Sequence, residues 1–165
     1  MKQKKFNTKD LVSKIERIAK GRIASQPVVS LDEFRIVKKN TDPRCLLIIE
    51  DDETMRHALQ RIFEPDGFIL KMAADATELA HVLDDTPIDL ILLDVGLPWI
   101  NGFELAQMLK EHKDLKKIPL VFVSAQGTDE DIKKAFDIGA SDYVKKPFDI
   151  EKLRKTVQTL LELNE

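Results

Sequence analysis

The sequence predicts an α/β fold in which helices cover both faces of a parallel sheet. From residue 45 onward, short apolar runs alternate with segments whose apolar residues recur at helical spacing. The runs themselves are almost continuously apolar, which is typical of strands buried on both faces of a parallel sheet. Five such βα units follow one another between residue 45 and the end of the sequence.

The individual elements follow from these two periodicities. The predicted strands cover 45–49, 68–72, 88–93, 118–123 and 141–144. The first predicted helix carries an inward apolar stripe of Met55, Ala58, Leu59, Ile62 and Phe63. Later stripes comprise Leu79, Ala80 and Leu83, then Ile132, Ala135 and Phe136, and finally Ile150, Leu153, Val157, Leu160 and Leu161. Thr128 is expected to cap the helix of the third stripe, with Asp131 adding negative charge in its first turn.

Charge divides the sequence into two parts. Residues 1–44 hold 12 Lys and Arg against 5 Asp and Glu, a net charge of +7, whereas residues 45–165 hold 14 against 24, a net charge of −10. The change falls near Thr41-Asp42-Pro43, where the proline disfavours helix in the residue before it. Because 165 residues are too few for two full-sized cores, we predict a basic extension over 1–44 and one domain over 45–165.

The composition argues against several classes of protein. With 43% apolar and 33% charged residues, the sequence has the balance of a globular protein and not of a disordered chain. No apolar run approaches the roughly 18 residues that span a bilayer, and the N-terminus lacks the features of a signal peptide. We therefore expect a cytoplasmic protein in which the lone Cys45 is a small buried residue in a reducing environment.

The extension has its own pattern, with basic residues around an apolar stripe of Leu11, Val12, Ile15, Ile18 and Ala19 at helical spacing. Ser30-Leu31-Asp32-Glu33 fits a capping box before a short segment that could be helix or strand. We expect one or two helices here. Three roles stay open: packing on its own domain or on a second copy, electrostatic binding of a partner, and a largely disordered leader. With one tryptophan, one tyrosine and no basic repeat, direct nucleic-acid binding is not expected.

Acidic residues follow two of the predicted strands. Glu50-Asp51-Asp52 comes directly after the first strand, and Asp94 comes directly after the third. Functional groups of an open parallel sheet gather at the carboxyl ends of strands, where converging carboxylates repel one another unless a cation is present. Oxygen-only ligands favour a hard ion such as Mg²⁺. The plain alternative, that strand ends are acidic because they meet solvent, is favoured only for Asp52, whose side chain is expected to point outward.

Four segments resemble the signature blocks of response-regulator receiver domains. They begin at Leu46, Leu93, Val123 and Asp142 and contain LLIIEDD, LDVGLPWING, VSA and DYVKKPF. Their order and spacing make the resemblance specific over about residues 45–163. The resemblance implies a flavodoxin-like fold, a doubly wound five-stranded parallel sheet of order 2-1-3-4-5. It also implies a stand-alone receiver of a two-component system or phosphorelay, similar to chemotaxis response regulators.

The resemblance further implies which residues would handle the phosphoryl group. Asp94 is the expected phosphoacceptor, and Lys146, not the adjacent Lys145, is expected to pair with phosphoryl oxygens. Ser124 matches the hydroxyl position of the switch, and Tyr143 matches its aromatic position. In phosphoryl transfer, charge spreads over three oxygens, so positive charge and positioning do most of the work. Lys146 and Mg²⁺ would supply that charge.

The implied magnesium site draws on the acidic residues already noted. Asp51 and Asp94 would bind Mg²⁺ directly, Glu50 would act through water, and the backbone carbonyl of Gly96 would complete the protein ligands. Gly96 also leaves no side chain beside an attacking water, so the lifetime of the phosphorylated state is not fixed by the resemblance.

The expected function is a phosphorylation-dependent signalling switch and not an enzyme acting on a separate substrate, although it would promote its own phosphotransfer and slow dephosphorylation. The donor would be the phosphohistidine of a sensor histidine kinase or histidine phosphotransfer protein. The output would be contact with a downstream protein through the fourth and fifth helices and the fifth strand; a homodimer stays open. The alternatives are a phosphorylation-independent adaptor acting through the extension and a related acid-nucleophile hydrolase. The hydrolase is disfavoured because Gly96 stands where a second aspartate would be needed.

Overall fold

The computed structural model describes residues 12–13, 43–85 and 87–164 of the chain. Its sheet is parallel throughout, with strand order β2-β1-β3-β4-β5. The strands are β1 Cys45–Ile49, β2 Ile69–Ala73, β3 Leu90–Leu93, β4 Leu120–Ser124 and β5 Asp142–Lys145. The predicted fold class and all five predicted strands are therefore confirmed, with strand ends moved by one or two residues.

Five helices connect and follow the strands. They are α1 Glu53–Phe63, α2 Ala76–Asp85, α3 Gly102–Glu111, α4 Asp129–Ile138 and α5 Ile150–Leu163. Successive side chains of a strand point to opposite faces, so the sheet has an apolar layer on each side. Residues of α2, α3 and α4 pack on one face, and residues of α1 and α5 pack on the other. None of the helices within the described ranges is long and apolar enough to cross a membrane.

Two residues that the helical stripes predict as inward are exposed instead. Phe136 in α4 is 48% exposed, and Ile150 in α5 is 52% exposed. In α4 only Ala135 is fully buried, so the neighbouring position lies too far round the helix to reach the sheet. Ile150 is the first residue of α5. Its Cβ points beyond the helix end and away from the core, because Cβ atoms tilt toward the helix N-terminus.

Other local predictions are confirmed. Thr128 and Asp131 form a reciprocal capping box at the start of α4: the Asp131 N–H donates to Thr128 Oγ1, and the Thr128 N–H donates to Asp131 Oδ2. Cys45 is fully buried in β1. The N–H of Cys45 donates to Asp89 Oδ2 at 2.7 Å, and Arg44 lies 3.7 Å from the other oxygen of that carboxylate. These contacts fix the point at which the chain enters the sheet.

Most of the predicted extension, including its second segment, lies outside the described residues. Within the extension, Val12 and Ser13 are helical, with Val12 half-buried and Ser13 exposed. This agrees with the predicted placement of Val12 on the apolar stripe.

Candidate functional site

Two neighbouring strands carry the acidic residues to one point. Strand β1 pairs with β3 in a register that sets Ile49 opposite Leu93. Glu50 and Asp51 follow β1, and Asp94 follows β3, so all three leave the same carboxyl edge of the sheet. One carboxylate oxygen from each lies within 4.8 Å of the others. The predicted convergence of Glu50, Asp51 and Asp94 is therefore present.

Lys146 reaches this cluster from the far side of β4. Its Nζ donates to Glu50 Oε2 at 2.6 Å and lies 3.7 Å from Asp94 Oδ2. Its backbone N–H donates to the Ser124 carbonyl at 2.9 Å, which holds the chain after β5 against the end of β4. Lys145, in contrast, is exposed and pairs in register with Ser124. Of the two adjacent lysines, Lys146 is therefore the one whose ion pairs reach the acidic cluster.

Burial and charge compete at Glu50, which is only 2% exposed. Burial raises the pKa of Glu50, and the nearby charge of Asp94 raises it further, whereas hydrogen bonds from Lys146 and the Asp52 N–H lower it. The net direction is upward, because desolvation of a carboxylate disfavours its charged form. A cation at this point would therefore offset an electrostatic cost that Lys146 alone leaves partly in place.

The loop after β1 is held by hydrogen bonds with the first turn of α1. Asp52 is exposed and caps α1, accepting the Met55 N–H at 2.7 Å. Arg56, one turn into α1, donates to the carbonyls of Glu50 and Asp51 at 3.0 and 2.7 Å. Asp52 thus points away from the cluster as expected, while Arg56 fixes the backbone of the other two acidic residues.

The loop after β3 packs closely on the start of α3. The N–H of Gly96 donates to Asp94 Oδ1 at 3.3 Å. A Cβ on Gly96 would lie 3.8 Å from Asp94 Oδ2, an ordinary contact distance. At Gly102, however, a Cβ would overlap the Asp94 carbonyl and lie 2.5 Å from Val95 Cα. Glycine at position 102 is therefore required for α3 to begin directly against the backbone of Asp94.

Ser124 ends β4, the strand between β3 and β5. It is 1% exposed, and its Oγ accepts the Gln126 N–H at 3.3 Å. Tyr143 of β5 is half-buried, and its hydroxyl donates to the carbonyl of Gln126 in the same loop. Burial raises the pKa of Tyr143, and a hydrogen bond with the Ser124 side chain opposes that rise, so the phenol is protonated and able to donate near neutral pH, as an ordinary tyrosine is. Ser124 and Tyr143 are therefore connected through one loop residue, Gln126.

The donor set fits a hard divalent cation. Among the described residues, the acidic cluster is the one group of three or more candidate metal ligands, and it contains neither histidine nor cysteine. Its three carboxylates offer only oxygen, which Mg²⁺ prefers. Asp51 is exposed while Glu50 is buried, so the cluster is open to solvent on one side. That suits an ion that keeps several waters.

Some of these contacts were not predicted from the sequence. Arg56 stands four residues after the capping Asp52, a helical spacing that would have placed it near the loop. The contact of Gln126 with Tyr143 has no such signal, because it depends on where β5 lies beside β4. Trp99, whose indole N–H donates to the Ala74 carbonyl at 3.1 Å, links the loop after β3 to the loop after β2, and no local pattern indicates this either.

Comparison with known proteins shows which family this chain matches. A profile described as the response regulator receiver domain matches residues 46–158. The aerobic respiration control protein ArcA of Escherichia coli K12 is 34% identical over 116 residues, which make up 70% of this chain and 48% of ArcA. The chain spans about half the length of the curated relatives it matches.

Solved structures agree in fold. A CheY-like response regulator receiver domain protein from Methanospirillum hungatei JF-1 is 25% identical with a TM-score of 0.67, and the match covers 74% of this chain and 97% of that one. The receiver domain of sensor histidine kinase PA1611 from Pseudomonas aeruginosa PAO1 is 20% identical with a TM-score of 0.65, over 73% of this chain and 99% of that one. The latter crystal structure has a magnesium ion coordinated in its active-site cleft.

Proposed function

This chain belongs to the response-regulator receiver domain family, and on that premise we propose that it is a phosphorylation-dependent switch whose Asp94 accepts a phosphoryl group. The observation that carries this proposal is the reach of Lys146 across β4 to both Glu50 and Asp94. A structural ion pair would need only one carboxylate. A cation beside two converging carboxylates is instead the arrangement that a phosphoryl group on one of them would require.

The proposed transfer is a displacement at phosphorus. A carboxylate oxygen of Asp94 forms the new O–P bond while the P–N bond of a phosphohistidine breaks, and the electron pair of that bond returns to the imidazole nitrogen. Negative charge spreads over the phosphoryl oxygens as this happens. Lys146 Nζ, now 3.7 Å from Asp94 Oδ2, would move from Glu50 toward those oxygens. Ser124 Oγ would donate a hydrogen bond to one of them.

Magnesium fits the acidic side of this site. We assign Asp51 and Asp94 as direct ligands, Glu50 as a ligand through water, and the Gly96 carbonyl as the remaining protein ligand. Receiver domains bind Mg²⁺ in their active sites, and the PA1611 receiver provides one example. When bound, the ion would supply positive charge that offsets repulsion among the carboxylates and the developing phosphoryl charge. The oxygen-only donor set and the raised pKa of Glu50 support this assignment.

The same residues suggest how the signal would leave the site. A phosphoryl group would draw the Ser124 hydroxyl toward Asp94 and pull on the loop that holds Gln126. The Tyr143 hydrogen bond to Gln126 would then break, and the ring could turn inward. Shifting a two-state equilibrium almost completely needs about 5.5 kcal/mol, while one hydrogen bond to a charged group contributes roughly 1.5–3 kcal/mol. Ser124 cannot do this alone, so Lys146 must share the coupling.

The partners follow from the family and remain proposals for this chain. Receiver domains interact with histidine kinases, so the donor would be a sensor histidine kinase or a histidine phosphotransfer protein. The downstream contact would be a protein bound through α4, β5 and α5, where Phe136 is exposed. Several relatives are named as transcriptional regulators, but the match covers only about half of each. We propose that residues 1–44 form a separate basic extension and that residues 45–165 form the receiver domain.

The proposal is tested by incubating the full chain with Mg²⁺ and acetyl phosphate, then following both intact mass and released phosphate. A stoichiometric adduct that forms and slowly decays supports the switch. Sustained phosphate release far beyond one per chain would support the hydrolase alternative. No adduct and no turnover, with the protein folded, would refute the proposal in favour of an adaptor that acts without phosphate.

A further inference from the structure

A row of aromatic rings connects the loop that carries Asp94 with Tyr143. The ring centroids of Phe103 and Phe122 lie 5.2 Å apart at 54°, and those of Phe122 and Tyr143 lie 5.7 Å apart at 35°. Both spacings are those of favourable aromatic pairs. Phe122 and Tyr143 also stand opposite each other in the register of β4 and β5, so their contact is a direct cross-strand pair.

The row begins at the acceptor loop. Gly102, next to Phe103 in sequence, packs on the backbone of Asp94 and Val95 with no room for a Cβ. Its N–H donates to the Val95 carbonyl at 2.9 Å, and the Phe103 N–H donates to Asn101 Oδ1 at 2.8 Å. The first turn of α3 is thus tied to the backbone of Asp94 and Val95. A shift of that loop must move Phe103 with it, because close-packed contacts of this kind do not stretch.

A cation from α4 lies over the ring of Phe103. Lys134 Nζ lies 4.8 Å from the centroid of Phe103, within the range of a cation–π contact. Lys134 is itself exposed, as is its neighbour Lys133. Phe103 is only 4% exposed. It contacts β4 through Phe122 and α4 through Lys134.

We infer that Phe103 is a positioning residue of the switch, which transmits movement of the Asp94 loop to Tyr143 through Phe122 and to α4 through Lys134. This inference rests on the proposed phosphorylation of Asp94 and adds a second connection to Tyr143. The first runs from Ser124 through the backbone N–H and carbonyl of Gln126 and acts on the phenol hydroxyl; the aromatic row acts on the ring. The two connections start from different loops, so they can be broken independently.

The chain provides a clean probe, because Tyr143 is its only tyrosine. Incorporating 3-fluorotyrosine gives one ¹⁹F resonance, recorded with and without Mg²⁺ and acetyl phosphate. The variants are Phe103→Leu and the surface change Lys134→Gln, with Lys133→Gln as the matched control and Lys134→Arg as the conservative variant that keeps a cation over the ring. Intact mass confirms equal phosphorylation of each sample.

We expect the phosphorylation-induced shift of the Tyr143 resonance to fall at least twofold in Phe103→Leu and measurably in Lys134→Gln. It should match wild type in Lys133→Gln and Lys134→Arg. A full wild-type shift in both Phe103→Leu and Lys134→Gln, at equal phosphorylation, would overturn the inference. If Phe103→Leu does not fold, the exposed Lys134 variants decide the question.

Failure of the proposed function gives a different result. If wild-type protein forms no adduct, the phosphorylation assignment fails, and the resonance of the unphosphorylated protein decides whether the row positions Tyr143. In the unphosphorylated protein, the Tyr143 resonance of Lys134→Gln should differ from that of wild type. The resonances of Lys133→Gln and Lys134→Arg should match wild type. An unchanged resonance in Lys134→Gln would refute the positioning role as well.

Discussion

Lys146 and Glu50 form the shorter of the two ion pairs in the acidic cluster, with 2.6 Å between Nζ and Oε2, while the same Nζ stands 3.7 Å from Asp94 Oδ2. Glu50 is almost completely buried, so the lysine is its principal counter-charge. Any cation bound by Glu50 and its neighbours competes with Lys146 for the same carboxylate. This competition would free the lysine for a phosphoryl group on Asp94, which links metal binding to phosphotransfer.

Replacing Lys146 should separate these two roles. In Lys146→Ala we expect tighter Mg²⁺ binding, because a competing positive charge is lost, but a strongly reduced yield of the acetyl phosphate adduct. Without Mg²⁺, stability should fall by about 3 kcal/mol, since a buried charge loses its partner. Calorimetric titration and intact mass measure the first two effects. Lys145→Ala is the control, and equal behaviour of the two variants would show that Lys146 has no special role.

The raised pKa of Glu50 predicts a pH-dependent stability in Mg²⁺-free buffer. A carboxyl whose folded-state pKa exceeds its unfolded value stabilises the fold most below the unfolded value and loses that contribution as pH rises through the folded pKa. Glu50→Gln cannot lose this contribution, because its amide does not titrate. The free energy of unfolding of the variant should therefore rise relative to that of wild type as pH increases from about 4.5. Urea unfolding across this range measures it. Glu162→Gln, at an exposed position, is the control variant; a Glu50→Gln curve parallel to that of wild type would contradict the prediction.

Asp51→Asn should weaken Mg²⁺ binding by at least roughly tenfold, because a small hard-ion site loses a full negative charge. Trp99 is the only tryptophan and lies in the loop after Asp94, so its fluorescence should report the titration. Asp137→Asn, which changes an exposed aspartate of α4, is the matched control. Unchanged affinity in Asp51→Asn would show that the ion binds elsewhere.

Deleting residues 1–40 should leave a folded receiver that still forms the adduct, because residues from Cys45 onward already supply a buried apolar layer on each face of the sheet. The change in stability should be below about 1 kcal/mol, or roughly 4 °C in Tm. Circular dichroism and light scattering on the full and shortened chains test this. An insoluble or molten product would mean that the extension is part of the core, whereas loss of a dimer would assign the extension to assembly.

The sequence predicted those parts of the molecule that depend on local periodicity and on strand order. The apolar runs located all five strands, and the acidic residues after β1 and β3 converge because neighbouring parallel strands end at one edge. The helical stripes predicted burial of Phe136 and Ile150, and this was wrong. Periodicity does not indicate where a helix extends past the sheet that it covers. The separation of Lys145 and Lys146 came from the family resemblance and not from the spacing of the residues.

Contacts between side chains of distant elements could not be predicted from the sequence. Arg56 could have been found from its helical spacing, but its acceptors are backbone carbonyls that only the loop conformation brings within reach. The row of Phe103, Phe122 and Tyr143 joins three elements with no common period. Its existence depends on the register of β4 with β5 and on the close approach of α3 to Asp94.

The central claim is that Asp94 accepts the phosphoryl group, and locating the adduct tests it most directly. Wild-type and Asp94→Asn proteins are incubated with Mg²⁺ and acetyl phosphate, and the modified residue is mapped by mass spectrometry under conditions that preserve acyl phosphates. Wild type should carry the group on Asp94. Asp94→Asn should fold normally and remain unmodified, because the amide keeps the shape of the side chain but lacks its nucleophilic charge. Modification of another residue in wild-type protein, or an equal adduct in Asp94→Asn, would contradict the account.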